Sequence, residues 1–389
     1  MIRLAIARQR YNPHGGAERF VARALDALSA EGRVAVTLLA REWPEKAEPE
    51  KTAPSSQDWR FQKVDPFYLG RTWREASFAD AVRRRAAEYD LLQSHERIPG
   101  AAIFRAGDGV HAAWLEQVAR TRGKFGRLVL RWSLYHRYLC RTERAMFAHP
   151  ALRCVICNSR MVRDDIAARF GVPDEKLTVI NNGVDTEAFH PDVARHRAKM
   201  RARWGIGNEA PLLAFVGSGF ARKGVETALR VLAALPPVHL VVAGEDKRRA
   251  RYEALARELG VIERVRFLGV VDDVRPVYGA ADALILPTLY DPFPNVCVEA
   301  LACGLPLLTS TSCGAAEWIV EGRNGWVRDA LDVSGYQAAL KNWLACRETE
   351  DGRRALRAAA RATAEPYTLT AMAANLSLLY SQAVLKLKA

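Results

Sequence analysis

Two adjacent cations, Arg222 and Lys223, stand near the end of a glycine-rich run, VGSGFARKG. The run follows a short apolar segment typical of a buried strand, and a helical pattern begins after it. A guanidinium can bind phosphate oxygens bidentately and an ammonium binds them as a point charge, so the pair suits a diphosphate at a helix start. No P-loop spacing of Gly, four residues and Gly-Lys-Ser/Thr is present. The alternative is a pair of solvated charges.

Two acids, Asp291 and Glu299, are separated by seven residues in the run YDPFPNVCVEA. Glu299, near the start of a predicted apolar helix, could accept hydrogen bonds from vicinal ribose hydroxyls, and Asp291 could do the same for a sugar. The backbone N–H groups of Phe293, Asn295 and Val296 could add to this binding. Alternatively Asp291 caps a turn and Glu299 lies on a solvated helix face, although its apolar neighbours argue against solvation.

A third candidate is Gly15-Gly16, between the first predicted strand and the first predicted helix. Paired glycines let the backbone approach a ligand closely. The N-terminus of the following helix offers N–H groups and a positive dipole to an anion. The alternative is an ordinary turn between strand and helix.

These residues must be positioned by the elements around them, and the elements alternate between short apolar strands and longer helical patterns. Such alternation is typical of parallel sheets built from βαβ units, whose strands are covered on both faces. The predicted strands are 3–7, 34–40, 91–94, 101–105, 155–158 and 178–180, then 212–216, 240–243, 265–268, 283–286 and 307–309. The predicted helices include 17–29, 160–170, 225–235 and 249–259. A turn-rich hinge at 181–192 separates the two series, which predicts two doubly wound α/β domains facing each other across a cleft.

A basic stretch covers residues 113–148, with eight Lys or Arg against two acids, and so carries +6 of the net charge of +13. Projected at about 100° per residue, one face is apolar and the other is rich in arginine, a pattern typical of a helix in a membrane interface. The apolar face holds Leu128, Trp132, Tyr135, Leu139 and Met146. The predicted membrane-binding residues are Arg120, Lys124, Arg127, Arg131, Trp132, Arg137 and Arg141. The alternative is a helix of the domain with its charges in water.

Length and composition exclude several classes. The 389 residues suit two domains of ordinary size. No apolar run approaches the roughly 20 residues of a membrane-spanning helix, and the apolar start is too short for a signal peptide, so we expect a cytoplasmic protein. No Asp-x-Asp metal-binding motif is present. The C-x-x-C at Cys154 and Cys157 is not followed by a second pair of ligands at the spacing of a zinc site, so we expect no metal requirement.

The combination resembles family 4 of the glycosyltransferases, which have the two-domain GT-B fold. The resemblance rests on HGGAERF at 14–20, NGVD at 182–185, RKG at 222–224, the acidic pair and the continuation VEALACGLPLL. It covers nearly the whole chain.

The resemblance implies a role for each candidate. Arg222 and Lys223 would neutralise the departing diphosphate of a nucleotide-sugar donor, and Gly16 would approach it from the other domain. Glu299 would hold the ribose and Asp291 the transferred sugar. The family usually has Glu where this chain has Asp291, which leaves the donor preference open. The family also implies a retaining mechanism in which the leaving diphosphate helps to deprotonate the acceptor, so that no strong enzyme nucleophile is required. We expect no cofactor beyond the nucleotide sugar.

A narrower resemblance is to the lipopolysaccharide core glucosyltransferase I family, through VGSGFARKGVETALRVLAAL, GEDK at 244–247 and RIPGAAIFRAGD at 97–108. That family implies transfer of glucose from UDP-glucose to a heptose of the lipid-linked inner core, on the inner face of the cytoplasmic membrane. Asp108 would lie near the acceptor and could orient its hydroxyl or accept its proton. His95 and His111 are weaker candidates.

The family fold further implies an acceptor-binding domain over 1–182 and a nucleotide-sugar-binding domain over 183–366. A terminal helix within 367–389 would pack back on the first domain. The expected partners are the donor, the core oligosaccharide acceptor and an anionic membrane surface, with no nucleic acid.

Other functions remain open at this point. A family 4 enzyme could use UDP-galactose, UDP-GlcNAc or GDP-mannose on another surface polysaccharide or lipid. A catalytically inactive nucleotide-binding protein at the membrane is a second alternative. The net charge alone suggests a nucleic-acid binder, but no signature supports one. A phosphorylase would need a lysine-bound pyridoxal cofactor, for which the sequence gives no signal.

Overall fold

The computed structural model describes residues 2–9, 34–42 and 60–388. The chain divides into two compact units: Met1–Asn182 with Leu369–Ala389, and Gly183–Thr368. Each unit has its own hydrophobic core around a parallel sheet.

The described part of the first unit contains seven parallel strands in the order β3-β2-β1-β4-β5-β6-β7. They are β1 (Ile2–Ala7), β2 (Val34–Ala40), β3 (Arg60–Lys63), β4 (Leu91–Ser94), β5 (Ile103–Arg105), β6 (Cys154–Cys157) and β7 (Leu177–Val179). The helices are α1 (Gly70–Arg85), α2 (His111–Arg120), α3 (Lys124–Trp132), α4 (Leu134–Phe147), α5 (Arg160–Phe170) and the terminal α14 (Leu369–Lys388). Helix α14 packs Met372, Leu376 and Tyr380 into the core of this unit.

The second unit contains six parallel strands in the order β10-β9-β8-β11-β12-β13. They are β8 (Leu212–Val216), β9 (His239–Ala243), β10 (Val265–Gly269), β11 (Ala283–Leu286), β12 (Leu307–Ser310) and β13 (Gly325–Arg328). The helices, in chain order from α6 to α13, are Arg197–Trp204, Phe220–Lys223, Val225–Ala233, Arg249–Glu258, Arg275–Ala280, Asn295–Ala302, Val333–Arg347 and Glu350–Ala364. Both sheets therefore have the doubly wound order, in which the winding direction reverses between two central strands.

The predicted two-domain α/β fold is confirmed, and the predicted strands agree to within two residues at each end. Helix α5 has the predicted bounds because Ser159 accepts a hydrogen bond from the Val162 N–H at its start and Gly171 ends it with φ of 63°. Strands β3 and β13 were not predicted. The predicted helix 17–29 lies outside the described residues.

The projection of residues 127–146 onto a single helix is wrong. Ser133 ends α3 and starts α4, where its hydroxyl accepts a hydrogen bond from the His136 N–H. Trp132 is consequently exposed, whereas Leu139 and Met146 are buried, so the predicted apolar stripe does not form one surface. Within the described ranges, no helix has both the length and the apolar character needed to span a bilayer.

Candidate active site

The predicted diphosphate loop and the first predicted acid follow two neighbouring strands of the second sheet. Strand β8 precedes Arg222 and Lys223, and β11 precedes Asp291. These strands pair directly at the point where the winding reverses. Ligands of doubly wound sheets bind beyond the carboxyl ends of the strands at this point, so the topology places both loops at one candidate site.

The glycine-rich loop is fixed by close packing against the segment after β9. A Cβ atom on Gly244 would lie 2.3 Å from the Gly217 carbonyl oxygen, so the two backbones approach as only glycine allows. The Asp246 carboxylate accepts a hydrogen bond of 2.8 Å from the Phe220 N–H at the start of α7. The GEDK motif therefore supports the loop that carries the cations.

Arg222 and Lys223 are the last two residues of the one-turn helix α7, and the predicted longer helix, α8, begins at Val225 directly after the run. Gly224 then turns the chain into α8 with φ of 87°, and a Cβ atom there would lie 2.0 Å from the Pro287 carbonyl oxygen. The Arg222 carbonyl accepts a hydrogen bond of 2.8 Å from the Leu289 N–H. The backbone of the cationic turn is thus held directly against the loop that follows β11.

One carboxylate oxygen holds both cations. Asp291 Oδ2 lies 2.5 Å from Lys223 Nζ and 2.9 Å from Arg222 Nη1. The Asp291 and Lys223 side chains are 9% and 11% exposed, whereas that of Arg222 is 41% exposed. Burial acts to raise the pKa of Asp291, but the charges and hydrogen bonds of Lys223 and Arg222 outweigh it, so the pKa is lowered. The three side chains together keep one excess positive charge for an anion.

The Asp291 backbone is also fixed. Its N–H donates to the Ser312 carbonyl at 3.0 Å, and its own carbonyl accepts from the Gly314 N–H at 2.9 Å. The carboxylate is therefore positioned from the loop after β12 as well as by the cations. Sequence reasoning placed Asp291 near a sugar but did not predict its ion pairs with the diphosphate loop.

The remaining predicted donor contacts lie at the start of α11. The Phe293 ring is buried against Trp318, with centroids 4.7 Å apart, so only the Phe293 backbone is available to a ligand. Asn295 and Val296 are the first two residues of α11, and both are half-buried. Glu299 is the fifth residue and is half-buried, which disagrees with a fully solvated helix face.

In the first unit, Asp108 lies beyond the carboxyl end of β5, where its Oδ2 is 3.3 Å from Arg8 Nη1. The same guanidinium nitrogen lies 3.9 Å from Glu96 Oε1, beyond β4. Burial raises the pKa of Glu96; the Arg8 charge opposes this rise, whereas Asp108 adds to it. Glu96 was not predicted, although its position two residues after the predicted strand 91–94 was an available signal.

Two family models match consecutive parts of the chain. Residues 14–188 match the model described as Glycosyltransferase Family 4, and residues 196–363 match Glycosyl transferases group 1. The chain belongs to the family 4 glycosyltransferases.

Individual relatives agree with this assignment. The chain is 28% identical over 335 residues to the lipopolysaccharide glucosyltransferase WaaG of Escherichia coli (strain K12), which covers 83% of this chain and 84% of that protein. A crystal structure of WaaG, a glycosyltransferase involved in lipopolysaccharide biosynthesis, aligns with a TM-score of 0.78 at 26% identity, covering 96% of this chain and 98% of that chain. The Anabaena protein HepE in complex with UDP-glucose shares the fold, with a TM-score of 0.69 at 18% identity over 98% and 100% of the two chains. The fold is therefore GT-B.

In this glycosyltransferase, His95 and His111 each contact other side chains of the first unit. His95 is buried beside Gln93, whose side-chain oxygen accepts a hydrogen bond from Tyr380 of α14. Burial, with the charges of nearby arginines, lowers the pKa of His95 well below its usual value. His111 Nε2 lies 3.1 Å from His136 Nδ1, and burial is the main cause that lowers the pKa of His111 to about 3. Both rings are thus neutral at pH 7.

Gly15 and Gly16 lie outside the described residues.

The predicted membrane-binding residues of the glycosyltransferase are all described and exposed: Arg120, Lys124, Arg127, Arg131, Trp132, Arg137 and Arg141. Helix α3 has no buried residue: Lys124, Arg127 and Arg131 lie on one side, and Phe125, Leu128, Val129 and Trp132 on the other. Arg137 and Arg141 lie on α4, opposite its buried residues Leu139, Glu143 and Met146.

Proposed function

We propose that this glycosyltransferase moves a hexose, in particular glucose, from a UDP-sugar to the heptose region of the lipopolysaccharide inner core. The observation that carries the proposal is the likeness to WaaG over both units, together with the cationic cluster at the carboxyl end of the second sheet. The reaction is proposed to retain the anomeric configuration and to require neither a metal nor another cofactor. The proposed location is the inner face of the cytoplasmic membrane.

Arg222 and Lys223 bind the donor diphosphate in this proposal. As the bond between the anomeric carbon and the diphosphate oxygen breaks, its electron pair goes to that oxygen. The new negative charge lies beside two fixed cations, which need no reorganisation at that moment. The acceptor hydroxyl oxygen bonds to the anomeric carbon on the same face, and its proton passes to the leaving diphosphate.

The other residues position the substrates. The carboxylate of Glu299 accepts hydrogen bonds from the ribose hydroxyls, and Asp291 contacts hydroxyls of the transferred sugar. The backbone N–H groups at Phe293, Asn295 and Val296 add polar contacts, because the first turn of a helix has donors without intrahelical acceptors. Gly15 and Gly16 are proposed to approach the diphosphate.

Asp108 is the proposed contact for the acceptor hydroxyl. Its side chain is more than half exposed, and Arg8 holds one of its oxygens. The carboxylate is therefore oriented yet accessible, as a contact with an incoming sugar requires. Since the proton leaves on the diphosphate, Asp108 needs only to orient the hydroxyl.

The deciding experiment measures nucleotide release from UDP-, GDP- and ADP-sugars, with a deacylated core acceptor and with or without EDTA. We expect acceptor-dependent UDP release from UDP-glucose that EDTA leaves unchanged. Lys223→Ala is expected to lower kcat by about 100-fold or more, since it removes a cation from the charge that develops. Arg230→Ala, on the exposed surface of the same unit, is the matched control.

The possible outcomes separate the alternatives. Release only from UDP-galactose, UDP-GlcNAc or GDP-mannose would refute the glucosyltransferase assignment and keep the family. Nucleotide binding without release from any donor, across several acceptors, would favour the catalytically inactive alternative. Loss of activity in EDTA that added metal restores would refute the proposed metal independence.

Helix α3 is the proposed contact with anionic lipid, because it exposes an apolar side beside a basic one. Each cation near an anionic surface contributes about 1 kcal/mol. Replacing Arg127 and Arg131 by Gln should therefore weaken binding to phosphatidylglycerol vesicles by roughly 30-fold. Replacing the exposed Arg257 and Arg323 of the second unit is the control. Equal binding by both double variants would refute the role of α3.

A further inference from the structure

Exposed large hydrophobic side chains are concentrated in two segments of the first unit. Among the described residues thirteen such side chains are exposed, and eight of them fall within 67–73 and 125–134. These eight are Phe67, Leu69, Trp73, Phe125, Leu128, Val129, Trp132 and Leu134. Single exposed hydrophobic residues need no explanation, but a concentration of this kind marks an interaction surface.

The two segments meet where α1 and α4 begin. The Arg71 guanidinium lies 4.0 Å from the centre of the Tyr135 ring, which joins the first turns of the two helices. Leu69 directly precedes α1, and Leu134 is the first residue of α4. Phe67 and Trp73 contact each other edge to face at 5.6 Å. The exposed apolar side chains of 67–73 therefore adjoin those that flank the start of α4.

The charges around α3 have one sign, since residues 117–142 contain seven cations and no acid. Residues 66–74 contain Arg71 and Arg74, and the acids on either side of them are paired, Asp65 with Arg41 and Glu75 with Arg74, each at 2.9 Å. The N-terminal ends of α1 and α4 add partial positive charge. An apolar area framed by cations fits the surface of an anionic bilayer, where the side chains enter the acyl region and the cations meet the headgroups.

We propose that Phe67, Leu69 and Trp73 form a second lipid-contacting segment beside α3. This inference rests on the proposed membrane docking of α3 and extends it. A single interfacial helix would leave the first unit free to rotate about the axis of α3. A second lipid contact fixes the orientation of the unit on the membrane.

The test compares three double variants of the full chain on phosphatidylcholine vesicles with and without phosphatidylglycerol. Phe67→Ser with Leu69→Ser should weaken binding to the anionic vesicles by about tenfold. Leu128→Ser with Trp132→Ser tests α3, and Val270→Ser with Val320→Ser, exposed in the second unit, is the control. Wild-type affinity of the Phe67/Leu69 variant alongside a weakened Leu128/Trp132 variant would overturn the inference and leave α3 docking intact. No binding by the wild type would overturn both.

A separate observation concerns Tyr278, a fully buried residue of α10. Its hydroxyl donates to Glu299 Oε2 at 3.0 Å and lies 3.3 Å from the Val296 carbonyl oxygen. Burial first, and then the neighbouring Glu299 carboxylate, raise the pKa of Tyr278 well above its usual value, so the phenol remains a donor at every working pH. Its ring packs against Phe189, with centroids 6.2 Å apart.

A carboxylate that binds two vicinal hydroxyls must be held in one rotamer, and Glu has three rotatable side-chain bonds. We infer that Tyr278 is a positioning residue that orients Glu299 for the ribose. The inference rests on the proposed role of Glu299. It assigns Tyr278 a contribution to nucleotide specificity in addition to its packing in the core.

Calorimetric titration with UDP and with 2′,3′-dideoxy-UDP tests this role. Wild type should prefer UDP, and Tyr278→Phe, which keeps the ring, should weaken UDP binding by about five- to tenfold while leaving the dideoxy analogue unchanged. Tyr336→Phe is the control, because its buried hydroxyl has no hydrogen-bond partner among the described residues. Equal weakening of both nucleotides by Tyr278→Phe, or full retention of the preference, would overturn the inference. A wild type without preference would instead refute the role of Glu299.

Discussion

Asp291→Asn removes one charge from the cluster with Arg222 and Lys223 while keeping the size of the side chain and one acceptor oxygen. The Lys223 side chain is 11% exposed and has its ammonium 2.5 Å from the carboxylate oxygen. The substitution leaves that ammonium buried without its counter-charge. We therefore expect a less stable protein at pH 7.

The magnitude follows from burial. Breaking a buried ion pair costs about 3–5 kcal/mol, but asparagine retains a hydrogen-bond acceptor, which reduces the loss to about 2 kcal/mol. The Arg222 side chain is 41% exposed, so solvent screens its ion pair with Asp291, and we assign no loss of stability to that pair. For a domain of this size the expected fall in Tm of the second unit is about 4–8 °C.

The pH dependence provides a second readout. The folded pKa of Asp291 is lowered, so its contribution to stability is present above the ordinary value of 3.8 and is lost as pH falls through the folded pKa. Asparagine does not titrate. The difference in unfolding free energy between wild type and variant should therefore stay constant above about pH 5 and shrink below about pH 4.

Ligand binding is expected to change in the opposite sense to stability. Removing a negative charge beside the proposed diphosphate site should leave UDP affinity equal or higher, while kcat falls if Asp291 contacts the sugar. Denaturant unfolding, calorimetry with UDP and initial rates measure the three effects. A variant as stable as wild type at pH 7 would refute the buried ion pair, and much weaker UDP binding would show that Asp291 organises the cations.

Three further predictions concern single features. His111 has a folded pKa of about 3, so the unfolded chain takes up a proton below about pH 6.5 that the folded chain does not. Wild type should lose about 1 kcal/mol by pH 5.5, and His111→Gln should lose less over the same range in urea titrations. Gly224→Ala should lower stability by about 3 kcal/mol, because the Cβ meets the Pro287 carbonyl, whereas Gly219→Ala, at positive φ with open space among the described residues, should cost about 1 kcal/mol in the same assay. Dialysis against EDTA should leave the initial transfer rate unchanged, and a rate restored by Mg²⁺ or Mn²⁺ would contradict this.

The central strands could be predicted from the sequence because both of their faces are covered, and the apolar edge strands β7 and β10 could be predicted as well. Strand β8 is buried at every residue, and its apolar run LLAFV is visible without any structure. The two unpredicted strands, β3 and β13, lie at sheet edges in the described part of the fold. Strand β3 reads RFQK and is mostly exposed. An edge strand need not be apolar on both faces, so periodicity gives it no signal.

The prediction that residues 127–146 form one helix was wrong for a different reason. A helical projection assumes continuous rotation, and Ser133 interrupts it by capping a new helix. Serine at a helix start was the available signal. The exposure of both sides of α3 could not be deduced from periodicity, because an amphipathic pattern is equally typical of a helix that buries its apolar side.

The cluster at Asp291 could be predicted only in part. Its members are 68 and 69 residues apart in the chain, and they meet because β8 pairs with β11. The sequence identified each member, but the ion pairs depend on strand order. They also change the interpretation of Asp291, which the family resemblance suggested as a shortened sugar contact. The backbone of Asp291 is fixed by hydrogen bonds with Ser312 and Gly314, and its carboxylate, on a side chain shorter than that of Glu, contacts the adjacent cations. Any hydrogen bond from a donor sugar to this carboxylate must therefore be shared with Lys223 and Arg222. Donor preference at this position therefore depends on how a bound diphosphate redistributes those two ion pairs, as well as on the length of one side chain.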